Sequence, residues 1–277
     1  MVKRPYKRIY SNSFKFSQEE LEELKKLGIP LRYVKKWIND KHSIKLIKEL
    51  VHNGIPVEEI RKWIDLGLDL MDIKDWIDHK FLPEEAEKWI ENGIVNPSEA
   101  DDWKKYGFLP KEAKEWILLG ASVEEAEDWD LLGYTPRTAR GWIKYSILPE
   151  EANEWESYGF TPEQANKWKS LGFRPDIAYD WADLNFDPEE AKEWEEHGYE
   201  PDEASRWNDW GVSPKEAEDW ETRGYSFQET LEWIEHGFSP KEAEEWESLG
   251  FSFGEAVDFR SKGITPREAI KITRAKV

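Results

Sequence analysis

The amino-acid sequence predicts an all-α protein, an α-solenoid of about twenty repeats of 13 residues with one short helix in each. Three features of the 277 residues lead to this prediction: evenly spaced tryptophans, a proline near the start of most repeats and a glycine at the end. Tryptophan recurs at every thirteenth position from Trp63 to Trp246, except that the step between Trp89 and Trp103 is longer by one. With tryptophan counted as the ninth position, the repeat reads F-S/T-P-E-E-A-x-x-W-x-x-L-G.

Each repeat carries the signals that start and stop one helix. Ser or Thr at position 2 is a typical N-cap, proline at position 3 suits the first turn, and glutamate at position 5 completes a capping box. Glycine at position 13, where 15 of the 17 glycines stand, favours the left-handed backbone that ends a helix. Lys41, Lys80 and Ser146 replace this glycine, so each must adopt left-handed geometry or change the turn. We therefore predict helices of about ten residues, roughly 15 Å long.

Burial between neighbouring helices is the next expectation. Alanine at position 6 and tryptophan at position 9 lie three residues apart, on one narrow helical face. Because a lone helix of about ten residues is marginal in water, neighbours must cover that face. A proline in most repeats excludes one long helix, and the helical apolar period excludes strands.

The repeat also sets the predicted domain organisation. We expect a flexible basic N-terminal arm of residues 1–16, a continuous solenoid over residues 17–273 and a tail of residues 274–277. No run of apolar residues is long enough to span a membrane, and the first residues lack the apolar core of a secretory signal. The chain has no cysteine, which fits a reducing compartment, so we expect a cytoplasmic protein.

Charge is distributed unevenly along the chain, whose net charge is −20. Residues 1–50 have a net charge of +7, whereas residues 148–260 carry 31 acidic and 9 basic side chains, a net charge of −22. Capping glutamates account for part of this acidity. The excess at positions 7, 8, 10 and 11 predicts a non-enzymatic scaffold whose long acidic surface binds a basic protein or peptide. The candidate partner-binding residues are Glu193, Glu195, Glu196, Glu244, Glu245, Glu247 and Trp210, the last being an extra indole outside the regular tryptophan spacing.

The N-terminal arm favours a competing hypothesis. It has no acidic residue before Glu19 and mixes basic side chains with aromatic ones, a composition typical of segments that bind nucleic acid or another polyanion. The arm could instead be a solubilising cap or fold onto the acidic repeats. An architectural subunit of a larger assembly is a third interpretation. The candidate polyanion-binding residues are Lys3, Arg4, Lys7, Arg8 and Lys15.

Nothing in the pattern predicts catalysis. Three of the five histidines, His79, His197 and His236, fall at position 12, where a packing or helix-terminal role is expected. Carboxylate pairs occur in nearly every repeat and therefore point to no particular site. The sequence has no HExxH, GxSxG, phosphate-binding loop or calcium-loop motif. We therefore expect no enzyme activity, no cofactor and no metal.

Overall fold

The computed structural model describes residues 17–29, 41–68 and 70–274. Within these ranges the chain folds into 19 helices of similar length and no strand, and the helices pack as a regular helical-repeat solenoid. Most of the helices have nine residues, one fewer than the sequence predicts. The helices are α1 (Gln18–Lys26), α2 (Lys41–His52), α3 (Val57–Asp65), α4 (Leu70–Asp78), α5 (Pro83–Glu91), α6 (Pro97–Lys105), α7 (Pro110–Leu119), α8 (Val123–Leu131), α9 (Pro136–Lys144), α10 (Pro149–Ser157), α11 (Pro162–Ser170), α12 (Pro175–Asp183), α13 (Pro188–Glu196), α14 (Pro201–Asn208), α15 (Pro214–Thr222), α16 (Phe227–Glu235), α17 (Pro240–Ser248), α18 (Phe253–Ser261) and α19 (Pro266–Arg274).

Most of the predicted capping boxes are present at the helix N-termini. In α11 the Thr161 hydroxyl accepts a hydrogen bond from the Gln164 backbone N–H, and the Gln164 side chain accepts one from the Thr161 N–H at 3.0 Å. Pro162 is the first helical residue, where its missing N–H removes no hydrogen bond from the helix. Leu82 and Leu109 stand at the same cap position without a side-chain acceptor, and both side chains are exposed.

The helix C-termini close with Schellman motifs. After α11 the Gly172 N–H donates to the Lys169 carbonyl, and the Phe173 N–H donates to the Trp168 carbonyl at 3.1 Å. All 15 glycines at position 13 have positive φ. Lys80, Ser146 and Asn185 replace that glycine and also adopt left-handed backbone, with φ of 61°, 55° and 65°. Lys41 behaves differently, since it is the first residue of α2.

The core contains the two residue columns that the repeat predicts, at positions 6 and 9, together with most of the side chains at position 1. Every alanine at position 6 is fully buried, and the tryptophans from Trp63 to Trp246, apart from Trp210, are at most 4 % exposed. Where an aromatic residue follows a Schellman glycine, it packs edge-on against the tryptophan of the repeat before it. Phe173 lies 5.1 Å from Trp168 by ring centroids, at an interplanar angle of 84°. Such edge-to-face pairs add to the area that each indole buries.

The chain divides into two compact units, Met1–Pro149 (unit 1) and Glu150–Val277 (unit 2). In each unit a helix packs against the next helix and against the next but one, as α7 does with α8 and α9. Helices two repeats apart therefore lie side by side, in two alternating rows. This alternation decides which surface positions of different repeats meet.

Candidate interaction surface

Ion pairs join successive helices at two defined positions of the repeat. Position 10 of one helix reaches back to position 5 of the helix before it. Lys169 and Glu151 form this pair at 2.6 Å, and Lys104 and Glu85 form it at 3.4 Å. The same contact places the Lys104 ammonium 4.6 Å from the centroid of the Phe81 ring. Position 10, which the sequence suggests as free surface, therefore also ties neighbouring helices together.

A second contact joins helices two repeats apart, between position 12 of the first and position 7 of the second. His197 and Glu218 meet there at 3.7 Å, and Arg223 forms an ion pair with Glu244. Tyr158 and Tyr179 fill the same two positions with rings 5.6 Å apart. Position 7 is usually polar, and the contact with Tyr158 explains why an aromatic residue, Tyr179, stands there.

Two tyrosines at position 1 add hydrogen bonds between consecutive helices. The Tyr199 hydroxyl donates to Glu221 at 3.1 Å, and the Tyr225 hydroxyl donates to Glu247 at 2.7 Å. Burial and the adjacent carboxylate raise the pKa of both tyrosines above the ordinary value. Both hydroxyls therefore stay protonated at neutral pH and keep these carboxylates in place.

Most of the predicted partner-binding glutamates already have a contact within the chain. Glu195 pairs with Lys192 at 2.6 Å, Glu244 pairs with Arg223, and Glu245 lies 3.7 Å from Arg267. Glu247 accepts the Tyr225 hydroxyl. Glu193 and Glu196 are exposed, and neither forms an ion pair with a residue of the described ranges. Trp210, which lies outside the regular tryptophan spacing, is 43 % exposed.

The structure does not bring the seven candidates together as one site. Glu193, Glu195 and Glu196 belong to α13, whereas Glu244, Glu245 and Glu247 belong to α17. The candidate polyanion-binding residues of the N-terminal arm lie outside the described residues.

Acidic side chains outnumber basic ones in unit 2 as a whole. Its described residues, 150–274, contain 32 acidic and 13 basic side chains, so at least 19 carboxylates have no matching lysine or arginine. The described residues of Met1–Pro149 contain 17 basic and 25 acidic side chains, a net charge of −8 against −19 for those of unit 2. The negative charge of the protein is therefore concentrated in unit 2.

Unit 2 also contains a cleft of about 330 Å³, large enough for a side chain of a partner. We call it the Phe253 cleft and define it by Tyr225, Trp233 and Phe253, which give it aromatic walls, and by Glu229, Glu232 and Glu247. None of these residues except Glu247 was among the predicted candidates. The sequence nonetheless contains one indication of the cleft: Phe227 and Phe253 are the two aromatic residues that replace proline at position 3.

The described residues contain neither a metal site nor a membrane-spanning helix. Among the described side chains, no group of three histidine, aspartate or glutamate residues is arranged to hold a metal ion. The same residues include no helix with the length and apolar character needed to cross a bilayer. No protein-family model matches the chain, and comparison with curated proteins finds no relative.

Proposed function

We propose that this chain is a non-enzymatic helical-repeat binding protein, a scaffold that engages a basic protein or peptide through the acidic surface of residues 150–274. The observation that carries the proposal is the position of the carboxylates. Of the 32 acidic residues, 17 lie at repeat positions other than 2, 4 and 5, where helix capping requires none of them. These 17 alone exceed the 13 basic side chains of the same residues.

Such an excess is costly to a folded chain because like charges repel one another. A basic partner would relieve that repulsion and would be steered to the surface at a rate that depends on salt. The absence of cysteine supports a place in the reducing cytoplasm as part of the same proposal.

The test is charge reversal on α13. Glu193, Glu195 and Glu196 are changed together to lysine, and the association rate of a fluorescently labelled basic peptide is measured at low and at physiological ionic strength. We expect the triple variant to bind more slowly than the wild type, and the difference to shrink as salt screens exposed charges over about 8 Å. The fold should persist, because the pair lost between Glu195 and Lys192 is an exposed one, worth at most about 1 kcal/mol.

A matched control makes the same change in unit 1. Glu127, Asp128 and Asp130 of α8 are replaced by lysine, which alters the net charge of the protein by the same amount. This control should bind the peptide nearly as fast as the wild type. Equal slowing of both variants would show that net charge alone matters. Wild-type binding that ignores salt would remove the basis of the proposal.

Nucleic-acid binding through the N-terminal arm is the competing proposal, and it is favoured by the five basic residues that precede Glu19. It is tested by removing residues 1–16, which leaves Ser17 in place to cap α1. Loss of single-stranded oligonucleotide binding in this deletion, with peptide binding unchanged, would assign the two ligands to different parts of the chain. Loss of peptide binding would make the arm the functional element.

A further inference from the structure

The Phe253 cleft has an internal counterpart two repeats earlier in the chain. Tyr199 donates to Glu221 there as Tyr225 donates to Glu247 in the cleft. His197 meets Glu218 as Arg223 meets Glu244. The two aromatic walls also correspond, since Phe227 stands 4.8 Å from Trp207 and Phe253 stands 5.0 Å from Trp233, both edge-on. The repeat has therefore built the same arrangement twice.

The two copies differ at several positions, and the difference at position 8 places different charges beside the two aromatic walls. In the earlier copy the Arg206 guanidinium lies over the Phe227 ring, 6.0 Å from its centroid, and its Nε donates to the Asp202 carbonyl. In the Phe253 cleft the equivalent position of the repeat is Glu232. The chain thus supplies its own cation to the first aromatic wall and a carboxylate to the second.

Cations on aromatic rings recur elsewhere on this chain. The Arg260 guanidinium lies 4.1 Å from the centroid of Phe238, and the Lys192 ammonium lies 5.7 Å from that of Phe173. A cation at such distances is attracted by the negative face of the ring. The Phe253 cleft offers aromatic surface of the same kind beside carboxylates.

The charge balance of the cleft favours a cationic guest. Arg223 is the one basic residue that lines it, and its guanidinium already pairs with Glu244, which lies outside the lining. The lining carboxylates are Glu229, Glu232 and Glu247. Glu229 also accepts hydrogen bonds from the Ser226 N–H and hydroxyl, and these lower its pKa and keep it ionised. Glu232 forms no ion pair with any residue that the structure describes.

We propose that the Phe253 cleft binds an arginine side chain of the basic partner, in the manner in which Arg206 covers Phe227 within the chain. This inference rests on the proposed function, because it names the group through which the basic partner is held. A guanidinium fits better than an ammonium ion, since its flat surface stacks on aromatic rings while its N–H groups reach two carboxylates at once.

Two variants test the cleft by different means. Glu232→Arg reproduces the arrangement at Phe227, so that the chain fills its own cleft. Phe253→Pro removes the aromatic wall without a change of charge and restores the residue that most repeats have at the first helical position. The preceding Ser252 already has ψ of 159°, which is compatible with a following proline. Circular dichroism and the melting temperature confirm that each variant is folded.

Each variant has a matched control. Glu193→Arg makes the same charge change at position 8 of α13, and Phe227→Pro removes the equivalent ring where Arg206 already covers it. The probe is a labelled peptide in which arginines alternate with glycine and serine, and the readout is its Kd by fluorescence anisotropy with the full-length protein. We expect Glu232→Arg and Phe253→Pro to weaken binding about tenfold, and both controls to change it less than about twofold.

The outcomes separate the cleft from the acidic surface. If Glu232→Arg and Glu193→Arg weaken binding equally and Phe253→Pro has no effect, the proposed arginine site in the cleft is overturned. The proposal that the acidic surface binds the peptide would then still stand. If the wild type shows no salt-dependent binding, both proposals fail. A peptide with lysine in place of arginine should bind more weakly to the wild type, and equal affinity would overturn the assignment to a guanidinium.

Discussion

Single side chains at the helix ends show how far residue identity determines backbone geometry. The glycine at position 13 and its left-handed conformation follow directly from the repeat, and all 15 such glycines have positive φ. Whether a substituted position keeps that turn does not follow, because the left-handed conformation costs an ordinary residue only about 1–2 kcal/mol. Lys80, Ser146 and Asn185 accept that cost, whereas Lys41 begins a helix instead.

The cost of this geometry is open to measurement at Gly172, which has φ of 90° and no atom within 4 Å of the position that a Cβ would take. Since a Cβ there would meet no other residue, we expect the destabilisation to come mainly from the backbone. We expect Gly172→Val to lower the free energy of unfolding by about 1–3 kcal/mol, and Gly172→Asn to lower it by clearly less. Urea denaturation measures both, and Asn185 is the natural precedent for the second. Equal losses would mean that the left-handed conformation is not the source of the cost.

Each helix also contains local features that the sequence predicts well and others that it does not. Capping boxes, the proline at the first helical position and the buried alanine and tryptophan follow from spacing alone, because they depend on residues of the same repeat. Contacts between repeats depend on which helices become neighbours. The pairing of position 12 with position 7 two repeats later, as in Tyr158 with Tyr179, could not be predicted without that arrangement. For the same reason the Phe253 cleft was missed.

Capping glutamates should make stability depend on pH. The Ser226 hydroxyl lowers the pKa of Glu229, and the backbone N–H of the cap residue lowers the pKa values of Glu242, Glu255 and Glu268. A pKa below that of the unfolded chain gives stabilisation that is complete above the unfolded value, about 4.3, and is lost as the pH falls through the folded value. Acid should therefore weaken these caps.

Replacing these four glutamates with glutamine tests the dependence, because Gln164 shows that glutamine can complete the same capping box. We expect the urea midpoint of the variant to change less than that of the wild type between about pH 5 and about pH 3. The control replaces Glu154, Glu193, Glu196 and Glu235, which lie outside the capping positions. If that variant loses as much pH dependence, the caps are not its source.

For the whole chain of 277 residues, the net charge could be predicted from the sequence, but the contacts of individual charged side chains could not. The sequence revealed the excess of carboxylates, yet it could not show that Glu195, Glu244, Glu245 and Glu247 already contact other side chains of the chain. The repeat period also runs through Pro149 without interruption, so it carries no sign of the two compact units. The division into two units and the pairing of charged side chains both depend on contacts between residues that are far apart in the sequence.

Self-repulsion in residues 150–274 gives a prediction for the intact protein. With 32 acidic and 13 basic side chains, repulsion should outweigh the attraction within the exposed ion pairs, which contribute about 0–1 kcal/mol each. Salt screens both effects, so we expect sodium chloride to raise the urea midpoint between low and physiological ionic strength. A midpoint that falls with salt would show that the ion pairs between helices dominate instead.

The side-by-side packing of next-but-one helices makes two repeats the interval at which a surface feature returns to the same row. Within a unit, insertion or loss of a single repeat would transfer every later helix to the opposite row, whereas insertion or loss of a pair would leave each surface where it was. We therefore expect a unit to tolerate a change of length in pairs without rearrangement of its binding groups. A duplicated pair that kept Phe253 and its carboxylates would add a second cleft in line with the first. A partner with several arginines would then bind more strongly because it engages two clefts at once, although neither cleft binds its arginine more tightly.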